Sequence, residues 1–279
     1  MFQETIAVKL GEGGITDGLI TEKAFDRGIA ALKKFKADIE HYHVDQIKAL
    51  ATAAIRSALN GAEFIQKVKS ETGINLNIIN GDQEAELIYT GVRAGVKMGN
   101  DSALIMDIGG GSIEFIICND QQIFWKRSYP IGAARLMALF HHTDPISEKD
   151  TQALHHYLDQ TLGDLDQQVA IYKPLLLIGS AGVFETFAGL ANPQFLLSAN
   201  TFEKSEFSID MEQFRKVADM LLKSTHAERS QMHAIIPVRV DMIVVATLLT
   251  NYILDKTQVK SLKLSTYSLK EGILFDLLT

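Results

Sequence analysis

The residues best able to do chemistry surround a triplet of glycines. The stretch 104–115 contains an apolar run, an acid, the triplet, a hydroxyl and a second apolar run with another acid inside it. The acids are Asp107 and Glu114, the glycines occupy 109–111, and the hydroxyl belongs to Ser112. Glycine tolerates positive φ and leaves no side chain to block an anion, so main-chain N–H groups of such a turn can bind phosphate. The pattern therefore predicts a phosphate site.

The residues after the triplet separate this motif from other phosphate-binding turns. A P-loop has a lysine followed by Ser or Thr and opens a helix, and a dinucleotide-binding turn also opens a helix. Here 113–117 is rich in β-branched and aromatic residues, and Asn119-Asp120 then turns the chain. The pattern predicts a β-hairpin with Asp107 on its first strand and Ser112 and Glu114 at the start of its second.

The elements around this hairpin alternate between predicted strands and helices, which indicates an α/β fold. Besides the hairpin, strands are predicted over 5–10, 46–52, 76–79, 122–128, 175–178 and 263–265. Helices are predicted over 21–39, 60–68, 83–96, 148–172, 214–222, 238–254 and 269–278, with others starting at 132 and 183. The helix at 183 follows a second glycine turn, 179–182, and main-chain amides at such a helix start favour an anion.

Composition excludes several classes of protein. The 279 residues can hold two domains, and the net charge of −7 argues against a general nucleic-acid binder. The single cysteine, Cys118, excludes an internal disulfide and suits a reducing compartment. No apolar run is long enough to span a bilayer, and no signal peptide is visible. We therefore expect a cytoplasmic protein without a membrane partner.

Several stretches together resemble the exopolyphosphatase/guanosine pentaphosphate phosphatase family, which belongs to the actin, Hsp70 and sugar-kinase superfamily. The hairpin sequence Asp-Ile-Gly-Gly-Gly-Ser-Ile-Glu-Phe, at 107–115, resembles the second phosphate motif of that family. The other similar stretches are, in chain order, 10–13, 51–56 with Asn60, 80–85, 130–136, 179–182, 239–241 and 268–272. Each is weak alone, but their number and order argue against chance.

The resemblance implies two ribonuclease H-like domains, as in actin-like ATPases, with a cleft between them. We place the first domain at 1–97 and the second at 98–279, with the C-terminal helix packing back on the first. In the superfamily each domain opens with a phosphate hairpin, and only the second hairpin is recognisable here. The first domain is therefore expected to be incomplete at its N-terminus, either by truncation or by real loss.

The resemblance also implies a reaction, the hydrolysis of terminal phosphoanhydride bonds in inorganic polyphosphate or guanosine pentaphosphate, with release of orthophosphate. It identifies Glu84 as the acid that orients or deprotonates the attacking water. Glu114 matches the second functional carboxylate, near metal or water. Asp107 and Glu114 would hold Mg²⁺, with Mn²⁺ as an alternative, because magnesium prefers oxygen ligands and needs only one or two carboxylates.

The remaining site residues would bind phosphate oxygens. They are Gly109, Gly110, Gly111 and Ser112 of the hairpin, Arg56, and Ser180 and Gly182 of the second glycine turn. For Arg56 a structural ion pair is an equally good interpretation. Arg239 and Lys270 are weaker candidates for the same positive charge.

Two other functions fit the same residues. A small-molecule kinase of the superfamily would transfer phosphate to an acceptor, so phosphate release without an acceptor separates it from a hydrolase. A non-catalytic nucleotide or polyphosphate sensor agrees with the missing first hairpin and would bind without turnover. The resemblance also suggests a homodimer, and the sequence leaves open whether the polymer or the alarmone is the substrate.

Overall fold

Helices and strands alternate in the computed structural model, which describes residues 3–192, 195 and 204–278. The α/β class predicted from the sequence is confirmed. The chain divides into two units, Met1–Gly81 and Asp82–Thr279.

The first unit joins a long helix to two short strands. Its elements are α1 (Glu22–His41), β1 (Ala49–Ala51), α2 (Ala53–Arg56), α3 (Gly61–Thr72) and β2 (Leu76–Ile78). The strands pair in parallel, with Ala49 opposite Leu76. The α1 and α3 helices share a small core with the strands, in which Phe64 and Val68 are fully buried.

Two local predictions in this unit differ from the structure. The strand expected over 5–10 is wrong, because the carbonyls of Val8 and Lys9 accept hydrogen bonds from the Arg27 side chain instead of from a neighbouring strand. Asn60 precedes α3 as predicted, but its side chain does not cap the helix. Its amide instead makes two hydrogen bonds to the main chain of Ile20, at 2.9 and 2.8 Å.

The second unit contains the predicted hairpin within a larger sheet. Its strands are β3 (Ala103–Ile108), β4 (Ile113–Cys118), β5 (Ile123–Tyr129), β6 (Leu176–Ser180), β7 (Glu206–Ile209) and β8 (Ser261–Ser265). Its helices are α4 (Gly81–Gly95), α5 (Ala133–Phe140), α6 (Glu148–Thr161), α7 (Gly163–Tyr172), α8 (Ala181–Ala191), α9 (Met211–Lys223), α10 (His226–Ser230), α11 (Met242–Lys256) and α12 (Leu269–Leu278).

The six strands lie in the order β5-β4-β3-β6-β8-β7. The β3, β4 and β5 strands form antiparallel hairpins, β6 and β8 run parallel to β3, and β7 is antiparallel to β8. Alternate residues of a strand face opposite sides of a sheet. Leu104 and Met106 therefore face the large core built with α5, α6, α8, α9 and α11, whereas Ile105 faces the smaller core under α4.

Helix α4 belongs to the second unit because of its apolar face. Ala85, Ile88 and Val92 pack with Ile105 and Ile116 of the sheet. The unit boundary at Gly81 therefore lies before this helix, whereas the domain boundary predicted from the sequence lies after it, at residue 97.

The elements of this unit differ from the sequence predictions at three places. The helix predicted over 148–172 is divided into α6 and α7 at Leu162. The β7 strand was not predicted. The α11 helix starts at Met242 instead of 238, because a short 3₁₀ turn occupies Pro237–Arg239.

None of the helices that the structure describes is both long enough and apolar enough to span a membrane.

Candidate functional site

Four polar residues occupy one transverse row of the sheet in the second unit. Asp107 of β3 pairs with Glu114 of β4 on one side and with Ser180 of β6 on the other. Glu114 in turn pairs with Ser128 of β5. We call Ser128, Glu114, Asp107 and Ser180 the acid row. Residues directly opposite each other on neighbouring strands have their Cβ atoms about 5 Å apart, so the two acids are close neighbours.

The row lies on the sheet face that α4 covers. Asp107 is two residues from Ile105 on β3, and Glu114 is two residues from Ile116 on β4, and both isoleucines pack against α4. The acids are 7 % and 1 % exposed, so the fold buries both carboxyl groups.

Serine hydroxyls donate hydrogen bonds to both buried carboxyl groups. The Ser180 Oγ atom donates to Asp107 Oδ2 at 2.5 Å, and Ser128 Oγ donates to Glu114 Oε1 at 2.6 Å. The nearby Ser112 side chain favours the charged form of Glu114 and so acts against the rise of its pKa. Each acid of the row is thus held by at least one donor, as buried polar groups normally are.

Glu84 brings a third carboxylate to the row. It lies in the first turn of α4, where the helix dipole favours a negative charge, and it is 6 % exposed. Its charge acts on both Asp107 and Glu114. The structure therefore brings together the three acids predicted from the sequence as site residues.

Burial and the nearby charge of Glu84 keep the two row acids protonated at higher pH than usual. Burial, opposed by the Ser180 hydrogen bond and assisted by the charge of Glu84, raises the pKa of Asp107 to about 6. Burial and the charges of Glu84 and Asp107 raise the pKa of Glu114 to about 8. Lys270 acts in the opposite direction on the pKa of Asp107. Such a group of raised pKa values is typical of functional sites.

The row is compatible with a magnesium ion. No cluster of three His, Cys, Asp or Glu side chains in the described parts of the chain is arranged to hold a metal. Magnesium, however, needs only one or two carboxylates and keeps several waters. Asp107 and Glu114 face each other across β3 and β4, and a divalent cation would offset the negative charge of two buried carboxylates. The oxygen atoms of these two residues therefore fit a magnesium ion.

The glycine turn is anchored by its carbonyl groups. The Gly109 and Gly110 carbonyls accept from the N–H groups of Ala133 and Ala134, at 2.8 and 3.0 Å, so the start of α5 holds the turn. The triplet does not use the positive φ that glycine allows, because the glycines with positive φ lie elsewhere in the described chain. The missing side chain of Gly132, at the start of α5, allows the chain to pass close to the triplet. A Cβ on Gly132 would lie 2.4 Å from the carbonyl carbon of Gly110.

The N–H groups of the turn divide into two kinds. Gly109 N–H donates to the Ser112 carbonyl at 3.0 Å, so it is used within the turn. The N–H groups of Gly110 and Gly111 have no acceptor within the part of the chain that the structure describes. Because their carbonyl side is turned toward α5, these two donors are suited to bind an anion.

The second glycine turn is packed against an arginine. Helix α8 starts at Ala181 directly after the buried Ser180, whose hydroxyl is bound to Asp107. A Cβ on Gly182 would lie 1.5 Å from Arg239 Nη2, so the guanidinium packs directly against this glycine. Arg239 also lies 3.6 Å from a carboxylate oxygen of Glu185. Any phosphate contact of Ser180 would therefore come from its main chain.

Arg56 lies in the first unit, at the end of α2. Its Nη1 atom donates to the Ile79 carbonyl at 3.0 Å, a contact inside that unit. Its assignment to phosphate stays a prediction. Lys270 lies in the first turn of α12 and pairs with Glu271 at 3.0 Å.

Ser128 is the residue that sequence reasoning missed. It lies in a predicted strand without a motif around it, and only the β4–β5 register places it opposite Glu114. The alternation of residues along β5 could have placed it on one face of the sheet, but not opposite a particular acid.

Comparisons with known proteins agree on one family. The model of the Ppx/GppA phosphatase family matches residues 1–279. Exopolyphosphatase 1 of Mycobacterium leprae is 24 % identical over 268 residues, which cover 96 % of this chain and 78 % of that protein. A bifunctional 3-dehydroquinate synthase/phosphatase of Fusobacterium nucleatum is 28 % identical over 263 residues, but the match spans 91 % of this chain and only 38 % of that protein.

Solved structures extend the likeness to the fold. The crystal structure of an exopolyphosphatase from Cytophaga hutchinsonii matches with a TM-score of 0.94 and 38 % identity, covering 100 % of this chain and 89 % of that chain. The structure of an Aquifex aeolicus Ppx/GppA enzyme matches with a TM-score of 0.76 and 25 % identity. The match covers 96 % of this chain and 88 % of that chain.

Proposed function

The chain belongs to the Ppx/GppA phosphatase family, and from this premise we propose that it hydrolyses terminal phosphoanhydride bonds of inorganic polyphosphate and releases orthophosphate. The relatives named exopolyphosphatase support the polymer as substrate. The observation that carries the proposal is the arrangement of Glu84 and the acid row at the strand ends that flank the glycine turn. Guanosine pentaphosphate has the same terminal bond and is the second substrate to test.

The first task of the site is to bind the terminal phosphate. Phosphoryl transfer depends on charge neutralisation and positioning more than on covalent chemistry from the protein. The N–H groups of Gly110 and Gly111 would donate to phosphate oxygens, in the manner of an oxyanion hole. The α5 helix holds the turn through the two carbonyl groups, so these donors are fixed before substrate binds.

The second task is to direct water at phosphorus. We assign Glu84 as the group that orients the water and accepts its proton as the new P–O bond forms. The bond between phosphorus and the bridging oxygen breaks, and the shortened chain leaves with the electron pair. We assign Asp107 and Glu114 to hold Mg²⁺, which when bound supplies positive charge to the phosphate oxygens.

An assay of phosphate release tests this function. The purified chain is incubated with polyphosphate or with guanosine pentaphosphate, in Mg²⁺ or in EDTA, without any phosphate acceptor. We expect release from polyphosphate in Mg²⁺, little release in EDTA, and loss of release in Glu84→Gln. Binding of polyphosphate without release would contradict the hydrolase and favour a sensor, and release only with an added acceptor would favour a kinase.

A further inference from the structure

The acid row sets two buried acids directly opposite each other, with a serine on the outer side of each. Like charges that face each other across two strands repel and destabilise the pair. Buried carboxyl groups keep a defined orientation only when hydrogen bonds hold them. Asp107 and Glu114 therefore need donors, and the register supplies one from each outer strand of the row.

The two serines contact the pair of acids from opposite sides. Ser180 on β6 binds Asp107 Oδ2, and Ser128 on β5 binds Glu114 Oε1, so each acid is held from the side away from the other acid. The second oxygen of Asp107, Oδ1, accepts no hydrogen bond from the residues that the structure describes. That oxygen is therefore left for a ligand.

We propose that Ser128 and Ser180 are positioning residues, whose hydroxyls hold Glu114 and Asp107 in the orientation in which the two acids bind a divalent cation. The inference rests on the proposed function, because it concerns the cation assigned to that reaction. Both hydroxyls are bound to the acids, so in this proposal each serine side chain acts through its acid. Loss of a hydroxyl leaves its acid without this anchor and free to rotate away from the shared position.

Binding of Mn²⁺ to the full chain without substrate tests the proposal. The signal of free Mn²⁺ in electron paramagnetic resonance gives affinity and stoichiometry. Groups that orient metal ligands typically change affinity by 10- to 100-fold when removed, so Ser128→Ala and Ser180→Ala should each weaken binding by about tenfold. Ser128→Thr keeps a hydroxyl on a half-buried residue and should remain close to the wild-type affinity.

Ser265→Ala is the matched control. Ser265 is also completely buried, in β8 of the same sheet, but its hydroxyl donates to the Tyr267 carbonyl at 2.7 Å instead of to an acid. We expect this variant to bind Mn²⁺ as the wild type does. Thermal unfolding of every variant checks the fold, and if Ser180→Ala is unfolded at the assay temperature, Ser128→Ala decides alone.

The outcomes separate this proposal from the proposed function. Unchanged Mn²⁺ affinity in the alanine variants, or an equal loss in Ser265→Ala, would overturn the positioning role. A wild-type chain without Mn²⁺ binding would overturn it as well. A wild-type chain that binds Mn²⁺ with the expected serine dependence, yet releases no phosphate, would refute the hydrolase and leave the serine assignment standing.

Discussion

The charge of Glu84 acts on both acids of the row, and the three carboxylates have different environments. Asp107 and Glu114 are held by serines inside the sheet, whereas Glu84 reaches the row from the start of a helix. A base must approach the attacking water, and metal ligands must stay fixed. The contacts of each acid therefore agree with the roles proposed above.

Glu84→Gln should lower the rate of phosphate release by about a hundredfold, because general acid–base groups contribute roughly 10²–10⁴ to rate. The melting temperature should change little, since glutamine has the same shape. Glu86→Gln is the control on the same helix, because Glu86 is exposed and pairs with Lys126 at 2.9 Å. Activity of Glu84→Gln within tenfold of wild type would remove Glu84 from the mechanism.

Glu114 should make the fold less stable as pH rises. Its folded pKa of about 8 lies above its ordinary value of 4.5, so the unfolded chain loses this proton first. Its stabilising contribution is complete below about pH 4.5 and is lost as pH rises toward 8. In EDTA, the melting temperature of wild type should therefore fall more steeply from pH 5 to 8.5 than that of Glu114→Gln. Parallel slopes for the two proteins would contradict the raised pKa.

Glycines set how closely the helices of the second unit approach its other elements. At Gly132 the chain passes against the glycine turn, and α4 and α12 meet at Gly91 and Gly272. A Cβ on Gly91 would lie 2.1 Å from the Ser268 carbonyl oxygen, and one on Gly272 would lie 1.8 Å from that of Leu87. These contacts position the glycine turn and the helix that carries Glu84.

Gly132→Ala should displace the glycine turn. The φ of −59° at Gly132 suits alanine, so the backbone conformation is not the obstacle. The added Cβ would overlap the carbonyl of Gly110, and the N–H donors of the turn would move. We expect phosphate release to fall by at least about tenfold, as small displacements of positioning groups are costly. Wild-type kinetics in a folded Gly132→Ala protein would argue against the turn as the phosphate site.

Gly272→Ala should destabilise the second unit. Alanine favours a helix over glycine, but overpacking typically costs about 1–3 kcal/mol, and here the obstacle is a main-chain carbonyl. Denaturant unfolding measures the difference. Gly163→Ala, at the start of α7, is the control, because a Cβ there meets nothing within 4 Å. Equal stability of the two variants would show that α12 can shift away from α4 without cost.

The chain as a whole contains two units with unequal sheets. Within the described residues, the first has a two-stranded sheet with a small core, and the second has six strands between two cores. Two-stranded sheets are marginal without further packing. Each unit thus depends on a different balance of sheet and helix packing.

Amide hydrogen exchange should be faster in the first unit. Amides of β1 and β2 should lose protection before those of β3 and β6, because local opening exposes the smaller core first. Exchange followed by mass spectrometry on the full chain reports both units in one sample. Equally slow exchange in the two sheets would show that the first unit is as stable as the second.

Local pattern was enough to predict much of this protein. Apolar runs on both sides of the glycine triplet predicted the hairpin, and the acids next to it marked the site, because strand alternation and turn chemistry act over a few residues. The resemblance of ordered motifs identified the family and selected Glu84 from among many helix-start acids. Helix ends such as Gly73, with its left-handed φ of 73°, also follow from local rules.

Pairings between distant segments could not be predicted from local sequence patterns. Ser180 meets Asp107 across 73 positions of sequence, and Ser128 meets Glu114 only through the β4–β5 register. Register depends on how whole strands bury their faces, and a slip of one residue would turn each side chain to the other face. For the same reason, the hydrogen bonds from the start of α5 to the glycine turn could not be predicted from the sequence, because they depend on how the helix packs against the turn.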